Sequence, residues 1–248
     1  RDDVYFHETI EGGTPTANGG RKVTAEDWVW TLNHIVNPET QSPRAYFIDM
    51  VVGYQEFRDG ETDHLTGVRA VDEYTLEMTI DRPFAPFLSV MTYNTFSVMP
   101  KEDVEKWGEE WNFHPVGTGA YKFEKWDQDS LIAMTKNENY WMTDEEGNSL
   151  PYMDRLEFRI IEDLTMMWNE FEIGNIYQTQ VDDPFYNTAK EKYGDNYMER
   201  PWLGTYYYGM NIEKEPFDDV KVRQAMNYAI NREAMIDIVM NGRATPAK

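Results

Sequence analysis

The sequence predicts an α+β half followed by an α/β half. Three observations carry this prediction. A helical apolar stripe opens behind Thr24, and two pairs of short alternating segments follow it. Beyond the polar loop Asp144-Glu145-Glu146-Gly147-Asn148 the pattern becomes strand, helix, strand. That loop sets the expected boundary, giving units 1–149 and 150–248.

The elements come in this order. Gly12-Gly13-Thr14-Pro15 and Asn18-Gly19-Gly20 mark turns. Thr24 and Asp27 form an Asp variant of the capping box, and Trp28, Leu32, Ile35 and Val36 recur on one helical face until Asn37-Pro38. Between Leu65 and Ile80, Leu76, Met78 and Ile80 alternate with Glu77 and Thr79, and Asp72-Glu73 supply a hairpin turn. Ala120–Trp126 and Leu131–Lys136 form a second pair through Asp127-Gln128-Asp129. Gly117-Thr118-Gly119 is expected to turn the backbone sharply ahead of it. Leu156, Phe158 and Ile160 then alternate as a strand. Leu164, Met167, Trp168 and Phe171 form a helix stripe that stops at Gly174. A short apolar segment runs from Ile176 to Val181, and a helix from Pro184 to Tyr193. Gly204–Asn211, rich in tyrosine, reads as a strand. Asp219 and Asn231 cap two closing helices.

Composition narrows the function. The 248 residues are 41% hydrophobic and 15% aromatic, enough for a sizeable core and too apolar for a disordered chain. No cysteine is present, which removes disulfides, thiol nucleophiles and cysteine-based zinc sites. A net charge of −22 repels phosphate backbones, so no nucleic-acid partner is expected. The acids are spread along the chain, which favours a solubility role over a docking patch for cations. No apolar run reaches the length of a membrane span, about 20 residues. Arg1 and the Ala244-Thr245-Pro246-Ala247 end both read as cut points, with any signal peptide lost from this piece.

Catalytic patterns are missing. There is no Gly-x-Ser-x-Gly motif, and His7, His34, His64 and His114 lack metal-ligand spacing, so neither an enzyme nor a metal site is expected. Gly117-Thr118-Gly119 has no following Lys-Ser/Thr and no helix, which argues against a phosphate cradle. Asp182-Asp183 and Asp218-Asp219 are adjacent acids of the kind an acid-rich chain produces by chance, and the second pair suits a helix cap.

Five blocks resemble family 5 solute-binding proteins, the oligopeptide, dipeptide and nickel binders of ABC importers. They are Arg21–Asn33 around Val23-Thr24-Ala25-Glu26-Asp27; Val71–Ile80 leading to Pro83-Phe84; His114–Phe123, where the family usually has Pro in place of Ala120; Asn137–Trp141 with Leu150–Leu156; and Pro216–Ala225 running into Ala229-Ile230-Asn231-Arg232. The resemblance implies a periplasmic-binding-protein-like fold (type II, cluster C) that closes two lobes on its ligand. Residues 1–149 would be the smaller α+β subdomain of lobe I. Residues 150–248 would be its incomplete α/β part, ending near the crossover, with lobe II absent. It also implies an extracytoplasmic monomer that passes a peptide or other small oligomeric solute to membrane permease subunits, without a cofactor.

Within that frame the candidate ligand-binding residues are aromatic and amide side chains. Tyr206, Tyr207 and Tyr208 share one predicted strand, and ligands of open α/β folds lie beyond the carboxyl ends of strands, which places Tyr208 to Asn211 near the cleft. Tyrosine combines apolar contact with a hydroxyl, although packing between strands would also use it. Trp28 and Trp168 sit on helix stripes and read as core. Trp30 and Trp202 are free of such a stripe and could stack on sugar rings, as an oligosaccharide-binding member of the family or a secreted carbohydrate-active enzyme would require. A ligand-sensing protein or chaperone on the same fold is the third alternative.

Overall fold

The computed structural model describes residues 1–200 and 202–247. The chain forms two compact units, 1–160 and 161–248.

In the first unit, strands β1 (Thr9–Ile10) and β2 (Thr14–Pro15) make a narrow hairpin ahead of helix α1 (Ala25–Val36). The start of α1 follows from its sequence: the Asp27 carboxylate accepts from the Thr24 backbone N–H at 2.8 Å and from its hydroxyl at 3.1 Å. Leu32, Ile35 and Val36 on its buried face pack with Ile48, Val51, Leu65, Val68 and Phe96. Burial of each such side chain stabilises the fold by about 1.5–3 kcal/mol. Thr31, fully buried, accepts the Met99 N–H at 3.0 Å and ties α1 to the 97–100 segment.

Helix α2 (Tyr54–Arg58) precedes a hairpin of β3 (Val68–Asp72) and β4 (Thr75–Met78), turned where Asp72-Glu73 predicted. Here Gly67 is needed on contact grounds: a Cβ would lie 2.8 Å from the carbonyl oxygens of both Val52 and Thr79. Those carbonyls accept from Gly67 N–H and Val52 N–H respectively, so three backbone segments converge at one point. Helices α3 (Phe87–Met91) and α4 (Lys101–Trp107) follow.

Strands β5 (Tyr121–Asp127), β6 (Leu131–Lys136) and β7 (Arg155–Arg159) make an antiparallel sheet in that order, with a register shift between Phe123 and Lys125. Phe123 carries a second small core with Ile10 and Val116, flanked by Trp107 and Trp111. The strand read at Leu156–Ile160 as the opening of an α/β unit is β7. Its ladder to β6 places it in the first compact unit, so the compact division falls after Ile160, eleven residues past the loop-based boundary at Ser149.

The second unit holds α5 (Leu164–Glu172), α6 (Tyr186–Tyr193), α7 (Val220–Ala229) and α8 (Arg232–Ala234), the last continuing as a π turn through Met235–Val239. Both predicted caps are present, Asp219 accepting from Lys221 N–H at 2.7 Å and Asn231 from Ala234 N–H at 3.0 Å. Asp163 caps α5 in the same way, accepting from Met166 N–H at 2.6 Å. Gly174 ends α5 at φ +80°. Trp168 is buried, as its stripe predicted, and stacks on Phe185 at 5.0 Å.

The strand reading of Gly204–Asn211 is corrected. Among the described residues the second unit contains no strand, so this segment has no ladder partner. Aromatic β-propensity reports fitness for a half-buried sheet surface, and without a neighbouring strand it produces no ladder.

Candidate functional site

The predicted tyrosines sit together on one segment of the second unit, and all three rings face solvent. Tyr206, Tyr207 and Tyr208 are 97%, 79% and 76% exposed. Packing, the competing explanation for these rings, does not account for them within this unit. Asn211 serves the local backbone. Its side-chain oxygen accepts from Glu213 N–H at 3.0 Å and its carbonyl from Lys214 N–H at 3.2 Å, forming the turn toward α7. Trp202 is exposed and its ring lies against Gly204, where a Cβ would meet it at 2.9 Å. Trp30 belongs to the first unit. It is half-buried on α1 and stacks on His34 one turn later, centroids 4.8 Å apart and planes within 12°.

Two depressions open on the first unit. One of about 310 Å³ is lined by Trp28, Tyr74, Trp141, Val98 and Thr118, with the Arg1 guanidinium 4.3 Å from the Trp141 ring centroid. Trp28, expected in the core, is thus half-buried at a cavity wall. The second, of about 220 Å³, lies between Ile10, Gly12, Gly13 and the β5–β6 residues Lys122, Phe123 and Thr135.

Away from the lining of these depressions, polar groups of the first unit are tied to each other. Arg21 makes paired hydrogen bonds to Asp27 (2.6 and 2.9 Å) and to Glu102 (2.7 and 2.8 Å), joining the start of α1 to α4. Bonds to these two carboxylates raise the guanidinium pKa and hold that of Glu102 below the usual carboxylate range. Asp144 accepts from Tyr152 and Asn148 side chains and two backbone N–H groups, which brings its pKa down to about 2. Asp144 is a turn-former in the polar loop. Among the described residues no group of three or more His, Asp or Glu side chains is placed to hold a metal ion. No helix among them is long and apolar enough to cross a membrane.

Sequence reasoning missed the structural parts played by His7, Asn18 and Asp103. His7 is buried, its Nε2 3.0 Å from the Gly119 carbonyl, and its Nδ1 accepts from Gly117 N–H at 3.4 Å. Burial pushes its pKa below the ordinary histidine value. These bonds hold the 117–119 loop, and the expected steric need for glycine there is corrected: neither Gly117 nor Gly119 has a left-handed φ or a neighbour within 4 Å of its Cβ position. Nothing in the local sequence signals this clamp, because the partners stand 110 and 112 positions apart.

The model of the family described as bacterial extracellular solute-binding proteins, family 5 Middle, matches residues 1–248. The chain is similar to the periplasmic oligopeptide-binding protein OppA of Salmonella typhimurium, 29% identical over 241 residues, covering 92% of this chain and 42% of that protein. It is similar to the glutathione-binding protein GsiB of Escherichia coli O1:K1, 31% identical over 186 residues, covering 74% of this chain and 35% of that one. The structure resembles the Escherichia coli murein tripeptide binding protein MppA, with a TM-score of 0.79 and 28% identity over 96% of this chain and 47% of that one. The chain therefore spans less than half the length of these relatives. The mixed helix-and-sheet architecture is that of the substrate-binding proteins, the match runs the whole length of the chain, and the chain belongs to family 5 of the bacterial extracellular solute-binding proteins.

Proposed function

We infer that this chain is part of an extracytoplasmic binding protein that captures oligopeptide-like solutes for an ABC importer, without catalysis. The carrying observation is the family match over all 248 residues, with relatives named for oligopeptide, murein tripeptide and glutathione binding. All three of those ligands are peptides, which favours peptide over sugar or metal chelate. The open tyrosine segment suits such ligands, because Tyr206, Tyr207 and Tyr208 offer apolar faces and hydroxyls that grip a peptide irrespective of its side chains.

On this reading residues 1–149 are the smaller subdomain of lobe I and residues 150–248 part of its α/β portion. The second unit leaves Leu203, Tyr228 and Ile238 open, at 100%, 91% and 79% exposure. Such surface is what the remainder of a lobe would cover. Ligand bound between two lobes draws them together, and the closed monomer docks on its permease. Exposed Trp202 supports an oligosaccharide reading second, since a free indole can stack on a sugar ring.

Native mass spectrometry of the full-length protein, purified without refolding, tests both. A ladder of peptide adducts supports the peptide reading. A single oligosaccharide mass overturns it within the same family and moves attention to Trp202 and Trp30.

A further inference from the structure

Of the four histidines, only His7 is buried, and it sits where four segments of the first unit meet. Its backbone N–H donates to the Gly117 carbonyl at 2.8 Å, and its own carbonyl accepts from Thr16 Oγ1 at 2.9 Å and Asn18 Nδ2 at 3.4 Å. The ring completes the junction with two bonds of opposite sense. Nδ1 accepts a hydrogen bond from Gly117 N–H, so the ring hydrogen resides on Nε2, which donates to the Gly119 carbonyl. Both nitrogens are therefore committed to backbone groups of one loop. That loop carries Thr118, which lines the 310 Å³ cavity with Trp28, Tyr74 and Trp141.

We propose that His7 is a pH-operated latch: neutral, it pins the Gly117 side of the 115–120 loop, and protonated, it lets go of the Gly117 N–H and loosens the cavity wall at Thr118. A second ring proton lands on Nδ1 and sets a donor against the Gly117 N–H, which then loses its acceptor. The charged ring also sits in a site that excludes water. The neighbouring charges do not remove this conflict. Glu8 favours the imidazolium, but Lys122 of β5, 2.6 Å from Glu8, opposes it. Asp103 of α4 is engaged by Asn18, whose amide bridges it to the His7 carbonyl, and Arg21 lies over Phe6 in a double pairing with Asp27 and Glu102. From the segment after β6 the group that meets the loop is an uncharged amide. Asn137 Nδ2 holds the Gly119 carbonyl at 2.9 Å, so release is confined to the Gly117 side.

The sign follows from linkage. The closed loop favours the neutral ring, so the latch is fully engaged above about pH 6.5 and weakens by at most about tenfold per pH unit below it, levelling off once the ring is charged in the closed form too.

Ring and amide nitrogen resonances of the isotope-labelled protein, followed from about pH 7.5 to about pH 5, test this across the histidine range. The expected result is an Nε2–H tautomer at the upper end. Amide protection at Gly117, corrected for intrinsic exchange, should then hold to about pH 6.5 and fall below it by up to about tenfold per pH unit while Leu32 in α1 stays protected. His7→Gln, which accepts and donates without titrating, should keep Gly117 protected throughout. A charged ring or Nδ1–H tautomer at the upper end, an unchanged Gly117, a parallel loss at Leu32, or an acid loss that persists in His7→Gln each overturns the latch. If His7→Gln does not fold, the ring resonances and the Gly117-to-Leu32 contrast in the unaltered protein decide alone.

Discussion

Asp103 of α4 holds Asn18, 85 positions earlier, through the side-chain amide at 2.6 Å and the backbone N–H at 3.1 Å. The other carboxylate oxygen takes the Ala17 N–H at 2.7 Å. The carboxylate is wholly buried and Asn18 is buried with it, while Ala17 lies at the exposed edge of the turn. Asp103→Ala should cost about 3 kcal/mol, read as a shift of the urea midpoint, because it takes the acceptor from the buried Asn18 N–H and side-chain amide. A loss under about 1 kcal/mol would mean that solvent reaches the turn and satisfies these donors instead.

The Arg21 fork gives a second prediction. It grips Asp27 and Glu102 at once, and the Asp27 side chain is only 7% exposed. Lysine can offer charge but not two planar pairs, so Arg21→Lys should lower stability by about 1–2 kcal/mol. Arg21→Ala should cost more, since Asp27 then keeps a half-satisfied carboxylate at the start of α1. Thermal unfolding of the two variants ranks them, and equal losses would reduce the pairing to simple packing.

What the sequence revealed was local. Thr24 with Asp27, the Asp72-Glu73 turn, Gly174, Asp219 and Asn231 each act on a partner within a few residues, and each was read correctly. The five motif blocks located the family across the same chain. The clamps made by His7 and Asp103 were invisible because their partners are far off in sequence and their residue types are common at surfaces. The tyrosine strand failed for a related reason. Periodicity and propensity describe one strand, whereas a strand exists only with a neighbour. The sequence placed Tyr206, Tyr207 and Tyr208 on one segment, but their exposure was not legible in it, because propensity does not say which neighbours a ring will have.

The paired acids before α7 can be told apart. Asp219 caps the helix by accepting from Lys221 N–H, while the Asp218 carboxylate accepts from Asp219 N–H at 3.1 Å, outside the helix. Asp219→Ala should therefore cost about 1 kcal/mol and Asp218→Ala under about 0.5 kcal/mol. The helical circular dichroism signal on heating measures both. A reversed order would assign the cap to Asp218.

Charge makes a prediction of its own. At −22 the folded chain repels itself, and most of its ion pairs lie at the surface. Screening at about 1 M salt, where the Debye length is about 3 Å, relieves long-range repulsion more than it weakens pairs in contact. The unfolding midpoint should rise between low salt and about 1 M sodium chloride. A falling midpoint would show that the surface pairs outweigh the net repulsion.

The tyrosines separate stability from binding. Tyr206 is 97% exposed and Tyr208 76%, so truncation to alanine should change the stability of this chain by less than about 0.5 kcal/mol. If the segment lines a peptide cleft, the same changes in the full-length protein should weaken binding by about tenfold or more, since buried tyrosines are frequent anchors at interfaces. Tyr177, 98% exposed and outside the segment, supplies the control: its alanine variant should bind as the unaltered protein does. Calorimetry with the peptide mixture recovered from the native protein measures all three variants. Equal, unchanged affinities would remove the tyrosines from the cleft while leaving the family assignment in place. A loss for Tyr208→Ala but not Tyr206→Ala would mean that the closed protein turns only one of these rings toward its ligand.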